Sequence, residues 1–280
     1  MNTEKKAILI AAFGTTVSRA AKAFSRFEAT VKARFPDRNV YRAYTSSIVR
    51  RKLAGRGIIR HGVREMLVRL AEDNYRTVTV MSLHTIPGYE YELVRHDVAA
   101  FRRTEAAGAV TTVVTKPLLA GYDDATATTA ALLEAVPPER KAHDALVFMG
   151  HGSNRHAADL FYVALAAILS ERDSRAFLGT VEGHPTLDDV VIRCRKEGIR
   201  KAWLIPFMAI AGDHVINDLS GDSDDSWKSV LSREGITCET VMRGTLDNPG
   251  IAHIWLSHLQ AAIDGTERAV LRHDKGAIPA

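Results

Sequence analysis

Short apolar runs and stretches of helical periodicity alternate along the whole chain. Ala7–Phe13 is an unbroken apolar run, the mark of a strand buried on both faces. Behind it Ala20, Phe24, Phe27, Val31 and Phe35 recur at intervals of three and four, which predicts an amphipathic helix that Pro36 ends. The order then repeats: a strand at Val40–Tyr44, a helix with Val63, Met66, Leu67 and Leu70 on one side, and a strand at Thr77–Leu83. The loop His84–Glu90 follows, then a helix around Tyr91–Ala107 and a strand around Val110–Pro117.

The second half has the same rhythm. A helix at Asp124–Ala135 precedes a strand at Ala145–Met149, a helix at Ala157–Glu171 and a strand at Ala176–Val181. Leu187–Glu197 reads as helix, Ala202–Met208 as strand, Asp224–Arg233 as helix and Thr237–Met242 as strand, and the helix Pro249–Ile263 comes last. Strands that alternate with helices predict parallel sheets covered on both faces. Ala7–Thr15 is similar in kind to Ala145–Ser153, and Val80–Gly88 to Leu204–Gly212, which implies an internal duplication. The expected fold is therefore α/β: two doubly wound, Rossmann-like domains, residues 1–122 and 123–265, facing each other across an interdomain cleft, with 266–280 as a loose tail.

Composition narrows the class. A chain of 280 residues, 46% hydrophobic and 25% charged, can bury substantial cores. No stretch approaches the ~20 apolar residues that span a bilayer. Lys5 and Lys6 before the first apolar run superficially resemble the start of a signal peptide, but the run flows straight into Gly14-Thr15-Thr16 and a helical pattern. It reads as a strand, and a cytoplasmic location is the default expectation. Cys194 and Cys238 form no CxxC pattern, so neither a disulfide framework nor a thiolate metal site is expected. The formal charge of +4 is spread along the chain without an aromatic-plus-basic motif, so it suits an anionic partner but does not suggest nucleic acid. The basic segment holding Arg50, Arg51, Lys52, Arg56 and Arg60 reads first as a solvated helix face.

Candidate chemistry lies at the ends of three strands in the second half. His151 stands between Gly150 and Gly152 after an apolar run, Glu182 follows the next strand and His214 the one after. The intervals are each about thirty residues, one βαβ unit, which puts the three side chains at one end of one sheet. Two imidazoles and a carboxylate suit divalent Co, Fe, Ni or Zn better than Mg or Ca, and a three-ligand set leaves a coordination position open. With eleven histidines in the chain, hydrogen-bonding or surface roles for His151 and His214 stay open on spacing alone.

The motifs Met149-Gly-His-Gly-Ser153, Gly179-Thr-Val-Glu-Gly-His-Pro185 and Pro206–Asp222 together resemble the anaerobic-type sirohydrochlorin cobaltochelatases, class II chelatases related to ferrochelatase. The likeness covers nearly the whole chain, including Ala12-Phe-Gly-Thr15 and His84–Glu90. It implies a chelatase fold and insertion of Co²⁺ into the tetrapyrrole sirohydrochlorin on the route to cobalamin, with His151, Glu182 and His214 as metal-binding and catalytic positions. Divalent metal is then a substrate. Neither ATP nor a nicotinamide is implied, in keeping with the lack of a Walker or GxGxxG motif. Fe²⁺ insertion by the same fold, or non-catalytic metal or haem binding, are the alternatives, and a homo-oligomer is compatible with either.

Other residues are candidates for the tetrapyrrole cleft. Phe13 is a core or cleft-lining group, and Gly14 and Thr15, where the first strand meets its helix, offer backbone contacts to a substrate carboxylate. Glu90 stands opposite His214 when the halves are aligned through Gly88 and Gly212. His84 reads as a turn or hydrogen-bonding residue, and His184 as a partner of Glu182 or a surface turn. Asp213 reads as a helix cap or loop carboxylate, and His96 as a solvated helix position that could ligate a metal or haem at a subunit contact.

Overall fold

A computed structural model describes residues 4–276 apart from 109, 154–156 and 213–214, with side chains to residue 268. His214 and Asp213 therefore lie outside the described residues. In the first half the strands are β1 (Lys5–Ala12), β2 (Asn39–Tyr44), β3 (Tyr75–Ser82) and β4 (Thr111–Val114). They are crossed by helices α1 (Ser18–Arg34), α2 (Ser47–Ala54), α3 (Val63–Glu72) and α4 (Tyr89–Arg102). Helix α5 (Tyr122–Glu134) leads to the second half: β5 (Ala145–Gly150), α6 (Leu160–Arg172), β6 (Ala176–Thr180), α7 (Leu187–Lys196), β7 (Lys201–Pro206), α8 (Trp227–Arg233), β8 (Thr237–Thr240) and α9 (Pro249–Gly276).

Each half forms a four-stranded parallel sheet, ordered β2-β1-β3-β4 and β6-β5-β7-β8. The orders are the same when the halves are superposed in sequence, so the duplication read from the apolar runs is also a duplication of topology. Registers agree as well. Ala12 pairs with Tyr44 as Gly150 pairs with Thr180, and Ala11 pairs with Ser82 as Met149 pairs with Pro206. β1 and β5 are central and buried almost throughout, which is why both read as unbroken apolar runs.

The differences from the sequence reading lie at element ends and at the C-terminus. α4 starts at Tyr89, so Glu90 occupies its first turn instead of the preceding loop. Part of the basic segment is the short helix α2, capped by Ser46, whose hydroxyl accepts the N–H of Val49. Residues from 266 onward, expected as a loose tail, instead continue α9 to Gly276. The physical reason is an anchor on the first half: Glu267 accepts hydrogen bonds from Lys6 at 3.1 Å and from the buried guanidinium of Arg38 at 2.5 Å. α9 packs on α5 and reaches β3 and β4 of the first sheet. Ile8, Ile10 and Met81 of that sheet share a core with Trp255 and Leu259 of α9 and with Leu146 and Phe148 of β5.

Candidate active site

The carboxyl ends of the two sheets enclose a cleft of ≈ 560 Å³ walled by both halves. Ala12, Phe13, Gly14, Thr15, Thr85 and Glu90 line it from the first half, and His151, Ser153, Tyr162, Glu182 and Met208 from the second. Strand β5 ends at Gly150, so His151 is the first residue beyond the ladder. Its Nδ1 lies 3.0 Å from the carbonyl of Gly152. A carbonyl can only accept, so Nδ1 donates in this contact, which leaves Nε2 as the ring nitrogen of a neutral imidazole that could bind a metal.

Glu182 lies two residues beyond β6, exposed at the cleft. Its main-chain N–H donates to the carbonyl of His151 at 2.8 Å, and that of Val181 to Gly150 at 3.1 Å. These bonds extend the β5–β6 pairing past the sheet and bring the two candidate ligands onto neighbouring chain ends. The close approach depends on Gly152, which has φ +76° and where an added Cβ would lie 2.2 Å from the carbonyl oxygen of Glu182. Beyond the loop, Thr186 caps α7 by accepting the N–H of Asp189, while the Asp189 carboxylate accepts the N–H of Thr186. The Glu182 loop is thus fixed at both ends.

Facing them, Phe13 is 45% exposed although apolar, because it projects from the end of β1 into the cleft. Gly14 and Thr15 are buried behind it. Glu90 accepts a hydrogen bond from Thr45 at 2.7 Å, which holds its carboxylate at the cleft wall. The strand registers place Phe13 where the second half has His151. Counted the same number of residues past paired positions of β3 and β7, Glu90 corresponds to His214. One wall therefore carries an apolar ring where the other carries the imidazole of His151. On the side of His214, the next described residues, Val215–Leu219, form a π-helical turn, a distortion common at functional sites.

A family model described as cobalt chelatase (CbiK) matches residues 6–264. The chain belongs to the cobalt chelatase family. Among relatives of this cobalt chelatase, the sirohydrochlorin cobaltochelatase CbiKC of Nitratidesulfovibrio vulgaris is 40% identical over 263 residues, 94% of this chain and 92% of that protein. The sirohydrochlorin cobaltochelatase of Salmonella typhimurium is 34% identical over 262 residues, 93% of this chain and 97% of the other. This cobalt chelatase shares its fold with solved structures, two of which follow. SirB from Bacillus subtilis with Fe³⁺ has a TM-score of 0.64 at 15% identity, covering 94% of this chain and 97% of that one. CbiX, described as the terminal enzyme of sirohaem biosynthesis in denitrifying bacteria, has a TM-score of 0.58 at 20% identity, covering 91% and 99%. The two-sheet α/β architecture is that of a chelatase, and the substrate of a cobalt chelatase includes the divalent metal.

Three further candidate histidines of this cobalt chelatase divide by burial. His84 is 8% exposed, its Nδ1 is 2.9 Å from the hydroxyl of Ser82, and burial lowers its pKa to about 4, so it is a neutral hydrogen-bonding residue of the wall. His184 is exposed and does not touch Glu182 through any described bond; its main-chain N–H goes to Asp159. His96 is exposed on α4. In the basic segment Arg50 turns inward to donate to the carbonyls of Tyr44 and Thr45, and Arg56 donates to the carbonyl of Thr16 at 3.1 Å, while Arg51 and Lys52 face solvent. Asp159 and Tyr162, which support both site loops, carried no readable signal: each occupies an ordinary position in a helical pattern. No helix among the described residues is long and apolar enough to cross a membrane.

Proposed function

We propose that this chelatase inserts Co²⁺ into sirohydrochlorin, with His151, Glu182 and His214 as its metal-binding and catalytic residues. The observation that carries the reading is the cleft itself: His151 and Glu182 come from adjacent strand ends of one half and face Phe13 and Glu90 of the other. A flat macrocycle in that cleft would lie with one face toward Phe13 and the other toward the metal. Phe13 supplies an apolar platform, and the main chain at Gly14 and Thr15 approaches the macrocycle's carboxylate rim.

Insertion requires stripping water from the ion, holding it by ligands that let go, and removing the inner pyrrole protons. Nε2 of His151 and the exposed carboxylate of Glu182 are ligands of that kind. A divalent cation lowers the pKa of the pyrrole N–H groups that approach it, and Glu182 and an imidazole accept the two protons that the metal replaces. The step is a proton-for-metal exchange that uses neither ATP nor nicotinamide. Two free thiols, Cys194 and Cys238, accord with action in the cytoplasm.

The test is anaerobic mixing of the purified chain with sirohydrochlorin and Co²⁺ or Fe²⁺, followed by macrocycle absorbance. Faster insertion of Co²⁺ than in protein-free solution is the expected result. Insertion of Fe²⁺ alone would reassign the metal, and insertion of neither would sink the reading in favour of a binding role.

A further inference from the structure

The loops that carry His151 and Glu182 rest on the same turn of helix. α6 begins at Leu160, with Asp159 at its cap and Tyr162 three residues on, so the two side chains share a face. Asp159 Oδ2 accepts the main-chain N–H of His184 at 3.1 Å. It also closes the space beside Gly183, where φ is +131° and an added Cβ would lie 1.9 Å from that same oxygen. Its second oxygen, Oδ1, is buried without a hydrogen-bond partner among the described residues, a cost that a residue merely filling space would not carry.

Tyr162 does for the other loop what Asp159 does for this one. It is 2% exposed, its ring lies where a Cβ on Gly150 would come within 2.7 Å, and it meets Phe207 edge-on at 6.1 Å. Its phenol is set against the main chain of Gly152 and His151 and the side chain of Thr85, which belongs to the first half. One helical turn therefore holds the His151 loop, the Glu182 loop and the opposite wall.

We propose that Asp159 and Tyr162 are positioning residues that set the separation and orientation of His151 and Glu182, and through them the affinity for Co²⁺. The inference rests on His151 and Glu182 being metal ligands. Ligand geometry has to be held to about 0.5 Å, and removing groups that support ligands typically costs 10- to 100-fold in metal affinity.

The experiment is calorimetric titration of the intact chain with Co²⁺ alone, for the wild type and for Tyr162→Phe, Asp159→Ala, Asp159→Asn and His151→Ala, with thermal melts and steady-state kinetics on each. Tyr162→Phe and Asp159→Ala are expected to weaken Co²⁺ binding by about 10- to 100-fold and to raise KM for Co²⁺ while leaving KM for sirohydrochlorin unchanged. Asp159→Asn keeps an acceptor for the His184 N–H and recovers most of the affinity. Wild-type affinity in Tyr162→Phe and Asp159→Ala overturns the proposal, as does an equal loss in Asp159→Asn that follows the melting temperature. If His151→Ala itself binds Co²⁺ normally, it is the ligand assignment that fails.

Discussion

Glu182 donates its main-chain N–H to the carbonyl of His151 at 2.8 Å, so the two residues proposed to hold the metal are tied to each other through the main chain. The bond continues the ladder of β5 and β6. Their spacing is a property of the sheet, not of two independent loops.

Replacing either side chain should consequently remove chemistry without disturbing architecture. His151→Ala and Glu182→Gln are expected to lower kcat/KM for Co²⁺ insertion by about 100-fold or more, the usual worth of a proton acceptor or ligand in a transition state. Far-ultraviolet circular dichroism and the melting temperature should stay at wild-type values. Retention of full insertion rate by either variant removes that residue from the mechanism.

Gly152 offers a test of the backbone. With φ +76° and the carbonyl of Glu182 lying 2.2 Å from where a Cβ would stand, Gly152→Ala forces the two chain ends apart. The left-handed conformation alone costs about 1 to 3 kcal/mol for a residue with a side chain. A lower urea midpoint together with loss of Co²⁺ binding is expected; unchanged binding would show that the approach is dispensable.

Phe13→Ala separates the two substrates. KM for sirohydrochlorin should rise, since a 45%-exposed ring that faces the cleft is removed, whereas the calorimetric affinity for Co²⁺ alone should not change. A shift in Co²⁺ affinity with unaltered KM for sirohydrochlorin would contradict the platform role.

Acid sensitivity follows from His84. Burial lowers its pKa from 6.5 to about 4, so between those values the unfolded chain binds a proton that the folded chain excludes. Stability is fully present above pH 6.5 and falls as pH drops toward 4, by about 3 kcal/mol at most from this group. Urea midpoints measured from pH 7 to pH 5 should decline in the wild type and decline less steeply in His84→Gln. Parallel slopes would mean that another group is responsible.

The end of α9 can be tested by truncation. Ending the chain after Gly265, or making Glu267→Ala, leaves the Arg38 guanidinium, 2% exposed, without its acceptor at 2.5 Å. Because Glu267 is itself 45% exposed and Asp37 stays 3.6 Å from the guanidinium, the loss is about 1 kcal/mol, below that of a fully buried pair. A matching fall in the urea midpoint is expected, and an unchanged midpoint would make the extension ornamental.

Much of this was legible in the sequence because the decisive signals are local. β1 and β5 are buried central strands and appear as unbroken apolar runs, and His151 is conspicuous between two glycines. What depends on distant contacts was not legible. The residues after 265 lack strong amphipathic marking, and their helix is held by Arg38 and Lys6, far away in sequence. Arg50 looked like surface charge but donates to main-chain carbonyls at the end of β2. Asp159 and Tyr162 act through contacts with main chain, and main-chain acceptors and donors leave no trace in residue identity. Glu182 was legible by its motif, yet its tie to His151 is written only in the register of two strands.

The shared core under α9 bears on how a substrate enters. Ile8 and Met81 of one sheet and Phe148 of the other pack into a continuous apolar mass with Trp255. Lobes joined by such a seam cannot swing apart like the shells of a clam without exposing it to water. Admission of the macrocycle and release of its metallated product then use a cleft whose two walls are carried by sheets that act as a fixed frame.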